Sequence, residues 1–89
     1  MNQQHYIELF NAAMNQCNQM LQLFPDNGAL KSIEKQLSYL LALSKRESTD
    51  ISRLKDICIG VLAARELESL GMDIEIFYQV QSAAKFFRI

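Results

Sequence analysis

Apolar residues recur at three- and four-residue steps in four successive stretches of this chain, and no stretch alternates apolar with polar over a strand's length. A helix turns once in 3.6 residues, so this spacing gathers the apolar side chains on one face that must be buried. In the first stretch the face is Tyr6, Phe10, Ala13, Met14, Cys17, Leu21 and Phe24. Pro25-Asp26-Asn27-Gly28 ends it, each residue favouring a turn for its own reason. The second presents Leu30, Ile33, Leu37, Leu40 and Leu41, and runs out at Lys45-Arg46, where cations suit the negative end of a helix dipole.

Glu47-Ser48-Thr49-Asp50 then reads as a loop in which Ser48, Thr49 or Asp50 caps a third helix. That helix carries Ile51, Leu54, Ile57, Cys58, Val61 and Leu62 and is apolar nearly all round from Ile57 to Ala64, the pattern of a helix surrounded by protein. Truncating Leu54 or Ile57 to alanine is accordingly expected to cost about 2–5 kcal/mol. Gly60 costs about 1 kcal/mol against alanine in a helix interior, which implies close approach of a neighbouring helix there. Gly71 reads as a left-handed terminating residue and Asp73 as the cap of a fourth helix, whose stripe is Ile74, Phe77, Val80, Ala84 and Phe87. Short connections favour neighbours running in opposite directions, so the expected fold is all-α, a compact antiparallel four-helix bundle. Its 89 residues form a single domain, 1–89.

Charge and chemistry exclude several functions. A net charge of −1 lacks the clustered cations that displace counterions from nucleic acid. No apolar run approaches the roughly 18 residues of a membrane span, and Met1-Asn2-Gln3-Gln4-His5 has neither the basic nor the apolar part of a signal peptide. The expected location is the cytoplasm, where Cys17 and Cys58 stay reduced as small buried hydrophobes. With His5 as the one histidine, no metal set or nucleophilic pair forms, and the glycines at 28, 60 and 71 are too scattered to cradle a phosphate. Glu66 and Glu68 are two residues apart and do not face each other on a helix. The joint from Leu67 to Asp73 resembles a helix-turn-helix, but Asp73 and Glu75 would repel phosphates at the start of its second helix. The expectation is a non-enzymatic protein with no catalytic residue, cofactor or metal, acting on neither nucleic acid nor membrane.

What remains is a surface. Between Glu66 and Ala84 the chain has four acidic residues (Glu66, Glu68, Asp73 and Glu75) and no lysine or arginine. Tyr39, Tyr78 and Phe86 lie off the main apolar stripes, and tyrosine suits a face that is half apolar and half wet. A docking face for a basic protein partner is therefore expected at Glu66, Glu68, Asp73, Glu75 and Tyr78, with Tyr39 as a further, lesser candidate.

Two blocks carry a family resemblance. Glu34-Lys35-Gln36-Leu37-x-Tyr39 is followed by Leu54 and then Gly60-x-x-Ala63-x-Arg65-Glu66-Leu67-Glu68, while Tyr6-Ile7 and the Pro25 turn fall at comparable places. Together they resemble the small helical immunity proteins of bacterial type VI secretion that neutralise NAD(P)+ glycohydrolase toxins. The resemblance covers roughly residues 6 to 70; the last helix, 74–87, matches by helical pattern only. It implies a cytoplasmic inhibitor that binds a cognate toxin domain and keeps the dinucleotide out of its active site. The competing reading is a helical adaptor or self-associating bundle with a non-toxin partner, in which Phe86, Phe87 and Ile89 support a weak homodimer.

Overall fold

A computed structural model describes residues 3–86, and among them the chain is all-helical with no strand. Helix α1 spans Gln3–Leu23 and α2 spans Gly28–Ser44. A third helical segment begins as α3, Ile59–Leu62, then widens into a π turn, Ala63–Leu67, and tightens into a 3-10 turn, Glu68–Leu70. Helix α4 spans Glu75–Phe86. The broadest packing is between α1 and α2, and α4 lies against both α1 and α3.

One core joins all four. Phe10, Ala13 and Cys17 enter it from α1, and Leu30, Ile33, Leu37, Leu40 and Leu43 from α2. Ile59, Ala63 and Leu67 come from the third segment, and Phe77 and Val80 from α4. The stripes read in α1, α2 and α4 are largely those buried, with Met20, Leu43 and Ala83 added. Phe24 is exposed instead of buried, and Phe87 lies outside the described residues.

The third segment departs most from expectation. It starts at Ile59, not near Ile51, because the chain first makes a short 3-10 turn, Leu54–Asp56, and then extends at Ile57 (φ −65°, ψ 121°). Ile51 is 57% exposed and Val61 52% exposed. The buried row is Ile59, Ala63 and Leu67, four residues apart, preceded by Ile57. Where a helix is apolar all round, periodicity does not say which side faces in, and here the contacts with α2 and α4 decide. The π turn is closed by the Glu68 N–H donating to the Ala63 carbonyl, five residues back.

Helices begin with N–H groups that have no partner within the helix. In the third segment two of these, at Cys58 and Gly60, are met from outside by glutamines. Gln36 of α2 accepts from the Cys58 N–H at 2.9 Å and donates to the Cys58 Sγ at 3.4 Å. Gln81 of α4 accepts from the Gly60 N–H at 3.0 Å and donates to the Ile57 carbonyl at 2.9 Å. The close approach expected at Gly60 is that of Gln81: a Cβ there would lie 3.1 Å from the Gln81 Cβ.

The ends of the other helices are set locally. Asn27 caps α2 by accepting from the Leu30 N–H at 2.9 Å. At the far end, the Glu47 N–H reaches the Ala42 carbonyl at 2.8 Å and the Arg46 N–H reaches Leu43 at 3.1 Å, with Arg46 left-handed at φ 61°. This pairing is a Schellman motif in which arginine stands where glycine is usual. The following loop caps no helix. Ser48 Oγ accepts from the Asp50 N–H and Asp50 Oδ1 from the Ser52 N–H, folding the loop on itself. The Ser52 hydroxyl and N–H hold the Asp50 carboxyl below its usual range. Tyr39 fastens the loop to α2, its hydroxyl donating to the Asp50 carbonyl at 2.7 Å and accepting from the Arg53 N–H at 3.2 Å.

Gly71 ends the third segment in the left-handed region at φ 77°, its N–H on the Glu68 carbonyl at 3.0 Å. Gly71→Ala should lower stability by about 1 kcal/mol, because a Cβ crowds the backbone in that conformation. Urea denaturation would show the loss as a lower midpoint at unchanged slope. Two residues on, the Asp73 carboxylate accepts from the Glu75 N–H at 3.2 Å, so both acids sit at the positive end of α4.

Candidate functional site

Glu75 and Tyr78 lie on the outer face of α4, opposite the buried Phe77, Val80 and Ala84. With Ser82 and Phe86 they form a row spaced by three, four and four residues, which keeps one side of a helix. Helix α1 runs along that row and supplies His5, Tyr6 and Leu9 as the opposite wall. The result is a groove of about 430 Å³. The Tyr6 hydroxyl donates to the Phe86 carbonyl at 3.4 Å, tying the end of α4 to α1 across it. Phe86 is 72% exposed and Tyr78 38%, so both rings offer apolar surface.

The remaining candidates go elsewhere. Asp73 stands at the edge of an apolar depression of about 390 Å³ bounded by Leu23, Phe24, Leu70 and Met72. Glu66, in the π turn, and Glu68, in the 3-10 turn, are exposed and line neither hollow. Tyr39 lines a separate depression of about 300 Å³ beside Lys35, Arg53 and Asp56. The structure thus brings Glu75 and Tyr78 together, and it separates Tyr39 from them in surroundings that hold two cations. Tyr39 already uses its hydroxyl to hold the 48–53 loop. Sequence reasoning missed the α1 wall: His5 and Leu9 are spaced like one helix face, but nothing in α1 alone says which helix lies opposite.

The groups with reactive chemistry are few. Among the described residues, no cluster of three or more His, Cys, Asp or Glu side chains could hold a metal ion. Cys17 is fully buried and its thiol is pushed up to about 11 by burial, with Glu34 adding to the effect. Its Sγ donates to the Leu30 carbonyl at 3.4 Å. At pH 8 the thiolate fraction of such a group is on the order of 10⁻³, and the thiolate is the nucleophile. Iodoacetamide should therefore label the half-buried Cys58 of the native protein and spare Cys17, with both labelled in denaturant; peptide mass mapping would check this. No helix among the described residues is long and apolar enough to cross a membrane.

A family model described as Tsi6 matches residues 5–88 of the chain. No curated protein and no solved structure matches it.

Proposed function

The chain belongs to the Tsi6 family of type VI secretion immunity proteins, and from that premise we propose that it binds and silences a cognate secreted toxin that degrades NAD(P)+. The observation that carries the reading is the family match over residues 5–88, which reaches through α4 as well as the two blocks in α2 and the third segment. Tsi6 itself is an immunity protein against the NAD(P)+ glycohydrolase Tse6. In the proposed mechanism the chain acts without a reaction centre: it lies across the toxin's active site in the cytoplasm of the producing cell and keeps the dinucleotide out.

Such a role demands tight binding, because a small free fraction of a catalytic toxin still turns over. Non-covalent protein pairs reach dissociation constants of about 10⁻¹³ to 10⁻¹⁶ M at their tightest. Four helices around one core, taken as an antiparallel bundle, have little freedom left to lose on binding, which favours affinity at fixed contact area. We assign the contact face to Glu75 and Tyr78 together with the acids of the same stretch, Glu66, Glu68 and Asp73; Tyr39 lies apart from them and holds the 48–53 loop. The acids supply a one-signed field that would steer a basic surface of the toxin into place.

Co-expression with a candidate toxin domain, sought among the genes next to this one, tests the reading. Recovery of growth and of cellular NAD+, with a complex that co-purifies, is the expected result. Growth rescue from a toxin that leaves NAD+ intact would keep the immunity role and reject the substrate. A toxin neither bound nor silenced would reject both, and a helical adaptor would take its place. Reversal of Glu66, Glu68 and Asp73 to lysine should slow association about tenfold or more at low salt, with helicity unchanged. An unaltered rate would remove those three acids from the face.

A further inference from the structure

We propose that the groove between α1 and α4 receives one cationic side chain of the partner protein, an arginine or lysine, its charge on the Glu75 carboxylate and its stem against the ring of Tyr78. The proposal rests on the immunity reading for the existence of the partner. It goes beyond that reading in naming the pocket and the chemistry of what fills it.

Three observations converge on a cation. The outer row of α4 puts one carboxylate, Glu75, and two exposed rings, Tyr78 and Phe86, along a single groove, with the buried Tyr6 as a third aromatic side chain in its lining. Second, no lysine or arginine lines the groove. Third, the Asp73 carboxylate, accepting from the Glu75 N–H at 3.2 Å, adds a second negative charge near the Glu75 end of the groove.

The other occupants fit less well. An acidic side chain would meet Glu75 head on. A purely apolar one would satisfy the rings but strip water from the Glu75 carboxylate and return nothing, which is costly for an ionised group. A cation with an aliphatic stem does both jobs, since lysine and arginine lay their methylenes along apolar surface and present the charge at the tip. Leu9 and the Tyr78 ring, one turn along from Glu75, suit the stem, and Glu75, at the first turn of α4, suits the tip.

The test uses the full chain and the toxin domain found by that co-expression, with dissociation rates measured for wild type, Glu75→Gln, Glu75→Asp, Tyr78→Ala and Phe86→Ala. Circular dichroism on each variant separates loss of binding from loss of fold. Glu75→Gln should dissociate about thirtyfold faster and Tyr78→Ala about tenfold faster, the range of residues that dominate interfaces, with a smaller effect for Phe86→Ala, about three turns from Glu75. Glu75→Asp should lie between wild type and Glu75→Gln. A double-mutant cycle of Glu75→Gln against alanine variants of the toxin's arginines and lysines should find coupling to one of them.

Wild-type dissociation by folded Glu75→Gln would overturn the proposal and leave the immunity reading standing. Faster dissociation of the ring variants alone would mean that the groove holds an apolar side chain, which also overturns it. Groove variants that change only the sedimentation of the free chain would assign the groove to a second copy, again overturning it. Failure of wild type to bind the toxin would remove the premise and the proposal together.

Discussion

Replacement of Phe77 by alanine is expected to cost about 3–5 kcal/mol, the range for truncating a buried phenylalanine. A chain of 89 residues holds in total roughly 4–13 kcal/mol at the usual 0.05–0.15 kcal/mol per residue, so this one change removes much of the stability or all of it. Phe77 is fully buried, at the point where α4 joins the core shared with α1 and the third segment. The side chain it leaves behind is a methyl group, and the rigid helices on either side close the void only in part. Thermal or urea unfolding by circular dichroism would measure the loss. A cost under about 0.5 kcal/mol, the usual surface range, would mean that α4 does not dock as described.

Gln81→Leu is expected to cost about 2–4 kcal/mol although it adds apolar surface. The glutamine accepts from the Gly60 N–H and donates to the Ile57 carbonyl. Leucine leaves both without a partner, and an unmet donor or acceptor in a buried setting costs about 1–3 kcal/mol each. Gly60 is itself buried. Glu in place of Gln81 keeps an acceptor for Gly60 and loses the donor to Ile57, so its cost should fall between those of wild type and Leu. A Leu variant as stable as wild type would show that water replaces both bonds, and the role given to Gln81 would fall. The comparison distinguishes hydrogen bonding from packing, because leucine preserves most of the volume.

The glutamines also show what a sequence does and does not disclose. In α1, α2 and α4 polar residues separate the apolar ones, and there the buried side can be read directly: Phe10, Ile33 and Phe77 are where periodicity puts them. Gly71 and Asp73 were legible for a similar reason, since each acts on backbone within three residues of itself. The third segment was not legible. Its apolar run offers several equivalent faces, and the choice of Ile59, Ala63 and Leu67 over Val61 and Leu62 is made by α2 and α4, which are distant in sequence. Leu54, expected to be central, is half-buried in a short turn outside that segment. The candidate site divides along the same line. Glu75 and Tyr78 can be paired from α4 alone, whereas Tyr39 shares only its residue type with Tyr78 and holds a loop. The α1 wall of the groove depends on which helices become neighbours, and no local pattern encodes that.

The two glutamines that hold the start of the third segment come from α2 and α4, so no residue nearby in the chain caps it; Cys58, at the cap position, makes no side-chain bond to the helix. Starting a helix is unfavourable until its first turn is compensated, and here the compensation exists only after α2 and α4 are already in place. In the order of folding, α1 and α2 can meet early across a four-residue turn, while the 59–70 segment has to wait for the others. Contacts that form after the rate-limiting step slow unfolding without speeding folding. Weakening the clamp at Cys58 and Gly60 is accordingly expected to speed unfolding more than it slows folding.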